Sequence, residues 1–201
     1  MKKIVLVFAA SMMIAFAGLA QDKKMSIGLG FGGASAAGKD ADGTKENGFG
    51  FNFYLNGMYN INENFSAGLE YNGNAVVIGD FDGGDVEATA IRGILAKAKY
   101  AFGEGRTRPF IGLMAGMYTI TPGTITANNS SIGLVFPKAT TFGFAPEVGI
   151  QLGAFQFATS YHLPGKYKES ISFDGGDPIE LETTYSVWQF NIGWNIGIGS
   201  N

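Results

Sequence analysis

The 201-residue sequence predicts an all-β protein, an eight-stranded antiparallel up-and-down transmembrane β-barrel. Three observations carry that expectation. Eight segments alternate apolar residues with small or amide-bearing ones at a period of two, which marks strands and not helices. The polar faces of these segments carry almost no charge. The connections between the segments run long, short, long, short, long, short, long, the alternation expected of a barrel with short turns at one end and longer loops at the other.

Composition bounds the reading. Charged residues make up 15% of the chain, against about 25% in ordinary soluble domains. Thirty-one Gly and 17 Phe fit a sheet that packs closely on one face and meets an oily medium on the other. They do not fit disorder, which goes with few aromatics and much charge. A net charge of -3 with scattered Lys and Arg gives no basic footprint for nucleic acid. The absence of Cys removes disulfides, Cys-based zinc sites, thiol catalysis and a lipidated cysteine. Any membrane anchoring must therefore come from the fold.

Residues 1–20 read as a secretory signal. Lys2 and Lys3 supply the charged start, Ile4 to Ala17 the apolar run, and Gly18-Leu19-Ala20 the small residues before cleavage. The apolar run is shorter than the roughly 20 residues needed to span a bilayer as a helix. The barrel domain is thus expected over 21–201, beginning at Gln21.

Along the mature chain, Ile27, Leu29 and Phe31 oppose Gly28, Gly30 and Gly32 in the first strand. Residues 35–46, with Lys39, Asp40, Asp42, Lys45 and Glu46, read as a polar loop. The second strand sets Phe49, Phe51, Phe53, Leu55 and Tyr59 against Gly50, Asn52, Tyr54 and Asn56, and residues 60–64 form a tight turn by composition. The third opposes Phe65, Ala67, Leu69 and Tyr71 to Ser66, Gly68, Glu70 and Asn72. After an acidic, Gly-rich loop near 79–86, the fourth strand (about 87–102) ends with Ala96, Ala98, Tyr100 and Phe102 opposite Lys97 and Lys99. Its first half does not keep one phase, because Arg92 and Ile94 share parity with Ala96. This predicts either a bulge or an Arg92 above the membrane rim.

The fifth strand, 109–121, is apolar on both faces, and only Gly112 and Gly116 suggest which parity points inward. A long polar stretch (122–140) leads to a sixth strand with Phe142, Phe144, Val148, Ile150 and Leu152 against Gly143, Ala145, Glu147, Gly149 and Gln151. A minimal turn near Gly153-Ala154 precedes the seventh, where Phe155, Phe157, Tyr161 and Leu163 oppose Gln156, Ala158, Ser160 and His162. The longest loop, about 164–183, leads to the last strand.

That last strand decides which medium lies on which side. Trp188, Phe190, Ile192, Trp194, Ile196 and Ile198 share one face, and Val187, Gln189, Asn191, Gly193, Asn195 and Gly197 the other. A soluble sheet would place Lys, Glu and Arg on its hydrated face; here that face is bare or amide-bearing. Pointing all the large apolar side chains inward would also overfill an eight-stranded interior, which is only wide enough for modest side chains. The apolar faces are therefore expected to meet lipid.

The signal sequence, the Phe-Tyr-Leu-Asn-Gly-Met-Tyr-Asn-Ile-Asn-Glu-Asn-Phe strand-turn-strand at 53–65 and the Trp-rich final strand together resemble the small Gram-negative outer-membrane β-barrel (porin-like) family. The likeness is to the eight-stranded OmpX, OmpW and OmpA transmembrane barrels and covers the whole mature chain. The chain departs from many of these in ending Ile198-Gly199-Ser200-Asn201, without a terminal aromatic. It also ends after the barrel, so no peptidoglycan-binding domain is expected. The resemblance implies a bacterial outer-membrane location after cleavage near Ala20, with membrane lipids, lipopolysaccharide and the barrel-assembly machinery as partners. It implies a non-enzymatic envelope protein, structural or interacting through its extracellular loops with an unidentified partner. A narrow pore for small or apolar solutes is the alternative, and a lipid-modifying enzyme at the rim a third. No cofactor is expected.

Candidate site residues follow from these faces. Glu70, Glu147, Lys97 and Lys99 lie on polar faces and are expected to form an interior charge network, since an isolated buried ion costs several kcal/mol. The other reading places one or two of them in rim water. Tyr59, Tyr71, Tyr100, Trp188 and Trp194 are expected in lipid-facing aromatic girdles. Asp82 and Asp85, and again Asp174 and Asp177, flank Asp-Gly-Gly sequences, which are good hairpin tips. The alternative there is weak cation contact, although neither stretch fits an EF-hand. His162, the only histidine, reads as a hydrogen-bonded lining residue, the alternative being a rim Ser160–His162 pair.

Overall fold

The computed structural model describes residues 25–39, 45–78, 84–86, 88–121, 125–127, 133–134, 138–171 and 179–198. Eight long strands form the barrel: β1 (Met25–Lys39), β2 (Lys45–Asn60), β3 (Phe65–Ile78), β4 (Thr89–Ala101), β5 (Thr107–Thr121), β6 (Ala139–Leu152), β7 (Phe155–Pro164) and β8 (Ile179–Ile198). Each pairs antiparallel with its neighbours in chain order. The barrel closes where β1 runs against β8, from Met25 opposite Ile198 to Lys39 opposite Thr184. Closure leaves the barrel no open edge.

The pleat sorts the side chains as their alternation predicts. Outward, Phe49, Phe51, Ile94, Phe142 and Phe190 are 62–81% exposed, and Ile27, Leu29, Leu113, Phe144, Trp188 and Ile196 join them on the outer face. So much exposed apolar surface has no favourable place in water; hydrocarbon is the medium that accommodates it. On β5 the inward parity includes Gly112 and Gly116, with Phe110, Met114, Tyr118 and Ile120 buried beside them.

One end of the barrel carries the short turns. Between β2 and β3, Asn62 Oδ1 accepts from the backbone N–H groups of Asn64 (2.9 Å) and Phe65 (2.7 Å). The β4–β5 and β6–β7 turns use Gly103, Gly105 and Gly153 at positive φ, a backbone region that costs glycine little. Arg108 ties two turns together, its Nη2 donating to the Glu63 carbonyl at 2.7 Å.

Three expectations are corrected. β4 keeps unbroken register with β3 from Val76 opposite Thr89 to Phe65 opposite Tyr100, so it contains no bulge. Arg92 and Ile94 point outward with Ala96, and Ile91 and Leu95 point inward. The alternation is masked there because the inward residues Ile91 and Leu95 are themselves apolar. The expected loop at 35–46 is largely strand, with β1 continuing to Lys39 and β2 starting at Lys45. Likewise β8 begins at Ile179, where it pairs with a short strand, Tyr167–Ile171. Short strands Gly84–Val86, Ile125–Ala127 and Gly133–Leu134 form a separate small sheet. Backbone pairing satisfies N–H and C=O groups whatever the side chains, so strands continue past the end of the apolar alternation without a hydropathy signature.

Candidate functional site: the barrel lumen

Large side chains fit inside this narrow barrel because glycine faces them. The Tyr54 ring lies over Gly30, and its hydroxyl over Gly193; Tyr118 lies against Gly93 and Gly143, and Phe110 against Gly149. A Cβ at Gly143 would meet the Tyr118 ring at 2.9 Å. The interior is layered along its axis.

At the short-turn end the lumen opens as a polar vestibule of about 580 Å³, lined in part by Ser26, Asn60, Ser66, Lys99, Arg108, Gln151 and Asn195. Its inner limit is a charged bridge. Lys97 Nζ on β4 lies 2.7 Å from Glu70 Oε2 on β3, and 3.0 and 2.9 Å from Oε1 and Oε2 of Glu147 on β6. To reach β6 the lysine passes across β5 near Gly112, where a Cβ would come within 2.8 Å of Glu147 Oε2. All three residues are buried. Asn56 Nδ2 adds a hydrogen bond to Glu70 Oε2 at 3.3 Å. The bridge holds two carboxylates and one ammonium.

Above it lies a belt of amides. Asn72 on β3 and Gln189 on β8 exchange hydrogen bonds across the lumen, 3.1 Å in one direction and 2.9 Å in the other, and Gln189 Nε2 also donates to Asn74 Oδ1 at 2.8 Å. His162 is fully buried, its Nδ1 2.8 Å from the Tyr118 hydroxyl and its Nε2 2.9 Å from Ser160 Oγ. An apolar cluster runs from beside the bridge, where Leu95 is opposite Glu70 and Met114 opposite Lys97, toward the long-loop end: Ala34, Ala36, Val76, Ile91, Leu95, Met114, Ile120, Ala145 and Val187 pack with Tyr118.

The structure thus brings Glu70, Lys97 and Glu147 together. It places Lys99 elsewhere, half-buried at the vestibule, donating to Gln151 Oε1 at 3.3 Å with its Nζ 5.2 Å from the centre of the Phe110 ring. Ser160 and His162 are sealed inside, not at a rim. Of the aromatic candidates, Tyr59 and Tyr100 lie at the short-turn ends of β2 and β4, and Trp194 packs against Phe31 and Phe155. Trp188 packs on Tyr161 toward the other end. Tyr71 is mid-strand, against Phe53. Asp85 pairs through its backbone with Thr126; Asp82, Asp174 and Asp177 lie outside the described residues. Among those residues, no group of three or more His, Cys, Asp or Glu is placed to hold a metal ion. The cross-lumen Asn72–Gln189 contact and the apolar cluster were not anticipated. Shared inward parity was the available signal, but parity does not say which strands face one another.

No family model and no curated protein matches the chain. Solved structures do. Neisserial surface protein A (NspA) aligns at 13% identity and a TM-score of 0.53 over 86% of this chain and 96% of its own. OprG from Pseudomonas aeruginosa aligns at 15% identity and 0.53, over 89% and 99%. The chain has the fold of the eight-stranded outer-membrane barrels. Ail, the attachment invasion locus protein of Yersinia pestis, shares it at 14% identity and 0.50, over 86% and 99%. In this barrel the exposed Phe, Ile and Trp residues form the outer face, and the bridge and amide belt form the lining.

Proposed function

We propose that this is a non-enzymatic integral outer-membrane barrel with a closed lumen, structural or acting through the connections at its long-loop end. The observation that carries the proposal is the bridge from Glu70 through Lys97 to Glu147, spanning β3 to β6, with amide and apolar side chains packed beside and beyond it. A solute would have to break buried ion pairs and then cross packed apolar side chains. In this reading residues 1–20 are removed, the short turns face the periplasm, and lipid, lipopolysaccharide and the assembly machinery are the immediate partners. Tyr59, Tyr100, Trp188 and Trp194 anchor the barrel toward its interfaces, whereas Tyr71, mid-strand on β3, does not. Sealing of Ser160 and His162 speaks against a rim enzyme.

A narrow pore is the second reading, favoured by the water-accessible vestibule at one end. Planar-bilayer recording of the refolded chain separates the two. A closed lumen predicts no discrete conductance steps in the wild type, whereas regular ohmic steps would establish the pore. Glu70→Gln and Glu147→Gln recordings locate the seal: steps appearing only in these variants would place it at the bridge.

A further inference from the structure

We infer that the outer wall of β4, β5 and β6, at their long-loop ends, holds a site for the phosphate of a phosphorylated membrane lipid, with Arg92 and Lys138 as its cations. The site rests on the reading proposed above, in which this wall meets lipid and the long loops lie at the outer surface. What is added is which residues take which part of the lipid.

Two rows of outward side chains meet there. Arg92 on β4 stands opposite Thr119 on β5, and Thr119 opposite Thr140 on β6. Two residues nearer the short turns, Ile94, Met117 and Phe142 stand in the same order, and they are 65, 49 and 63% exposed. A row with a cation and two hydroxyls therefore lies directly on an apolar one. Arg92 is the only charged residue among the described outward side chains of β3 to β6. Lys138, also exposed, precedes Thr140 by two residues, toward the loops.

No ion pair links Arg92 or Lys138 to a described carboxylate. The Thr119 and Thr140 hydroxyls lie 3.3 Å apart; such a pair uses one of its two hydrogens internally and leaves the other to donate. Strand spacing and rise put the Cα atoms of Arg92 and Lys138 about 12 Å apart, close enough for two long side chains to meet on one group above the hydroxyls.

Charge and polarity select the occupant. Two cations without a carboxylate suit an anion, and the planar fork of arginine matches phosphate oxygens in pairs. Ile94, Met117 and Phe142 offer surface that acyl chains cover. A free anion would use the first row and leave the second bare, and a neutral lipid would do the reverse. A phosphorylated lipid uses both.

The test is a titration of the refolded full chain, in zwitterionic micelles, with diphosphoryl lipid A and with the same lipid stripped of its phosphates. The diphosphoryl form is expected to bind saturably and about tenfold tighter or more, the factor that one charge-assisted hydrogen bond supplies. Arg92→Gln and Lys138→Gln are each expected to weaken it by about tenfold and to leave binding of the stripped lipid unchanged. Arg106→Gln removes the same charge from an exposed residue at the short-turn end and is expected to change neither. Equal affinity for the two lipids, full affinity in either Gln variant, or an equal loss in Arg106→Gln would overturn the site. Competition by inorganic phosphate at the concentration of the lipid would overturn the lipid as its occupant. Failure of the wild type to insert into phosphatidylcholine liposomes would overturn the membrane reading beneath the site, whereas insertion with no preference for phosphate overturns the site alone.

Discussion

Truncating Lys97 would leave Glu70 and Glu147 buried without the ammonium they share. Removing one partner of a buried ion pair typically costs about 3–5 kcal/mol, whereas replacing all partners with neutral groups costs far less. Lys97→Met is therefore expected to lower the temperature at which the folded, fast-migrating form is lost on unboiled gels, and adding Glu70→Gln and Glu147→Gln to recover most of that loss. Lys99→Met removes a half-exposed hydrogen bond to Gln151 and should cost only about 0.5–1.5 kcal/mol. A Lys99 effect as large as that of Lys97 would contradict the assignment. Glu70, Lys97 and Glu147 were legible in the sequence because charges are rare on its polar faces. Lys99 looked equivalent because it has the same parity, but it stands one inward position closer to the turn, where vestibule water and Gln151 serve it.

Among the strands, adjacent glycines on β1 face opposite media. A Cβ on Gly32 would collide with the backbone of Phe190 on β8, while one on Gly33 meets nothing within 4 Å. Gly32→Ala should destabilise the barrel by about 1–3 kcal/mol through overpacking. Gly33→Ala, free of contacts and less flexible when unfolded, should be neutral or stabilising by up to about 1 kcal/mol. Denaturant titration of both refolded variants checks the difference, and equal effects would contradict the inside–outside phase of β1. Strand number, order and phase were readable wherever one face carried exposed apolar side chains and the other amides, as on β2 and β8. They were hardest to read where Ile91, Leu95, Met114 and Ile120 line the lumen, because apolar groups on both faces erase the contrast. They were also hidden in the polar continuations of β1, β2 and β8, where the sequence loses its apolar alternation.

For the molecule as a whole, every inference depends on which side of the wall hydrocarbon lies. Both tryptophans report on it, since Trp188 and Trp194 share the outer face of β8 and no other residue dominates the emission. The most direct measurement is quenching of their fluorescence in liposomes, comparing lipids brominated along the acyl chain with aqueous acrylamide. The inside-out barrel predicts strong quenching by the brominated lipids and little by acrylamide. Efficient acrylamide quenching with no response to brominated lipid would contradict it.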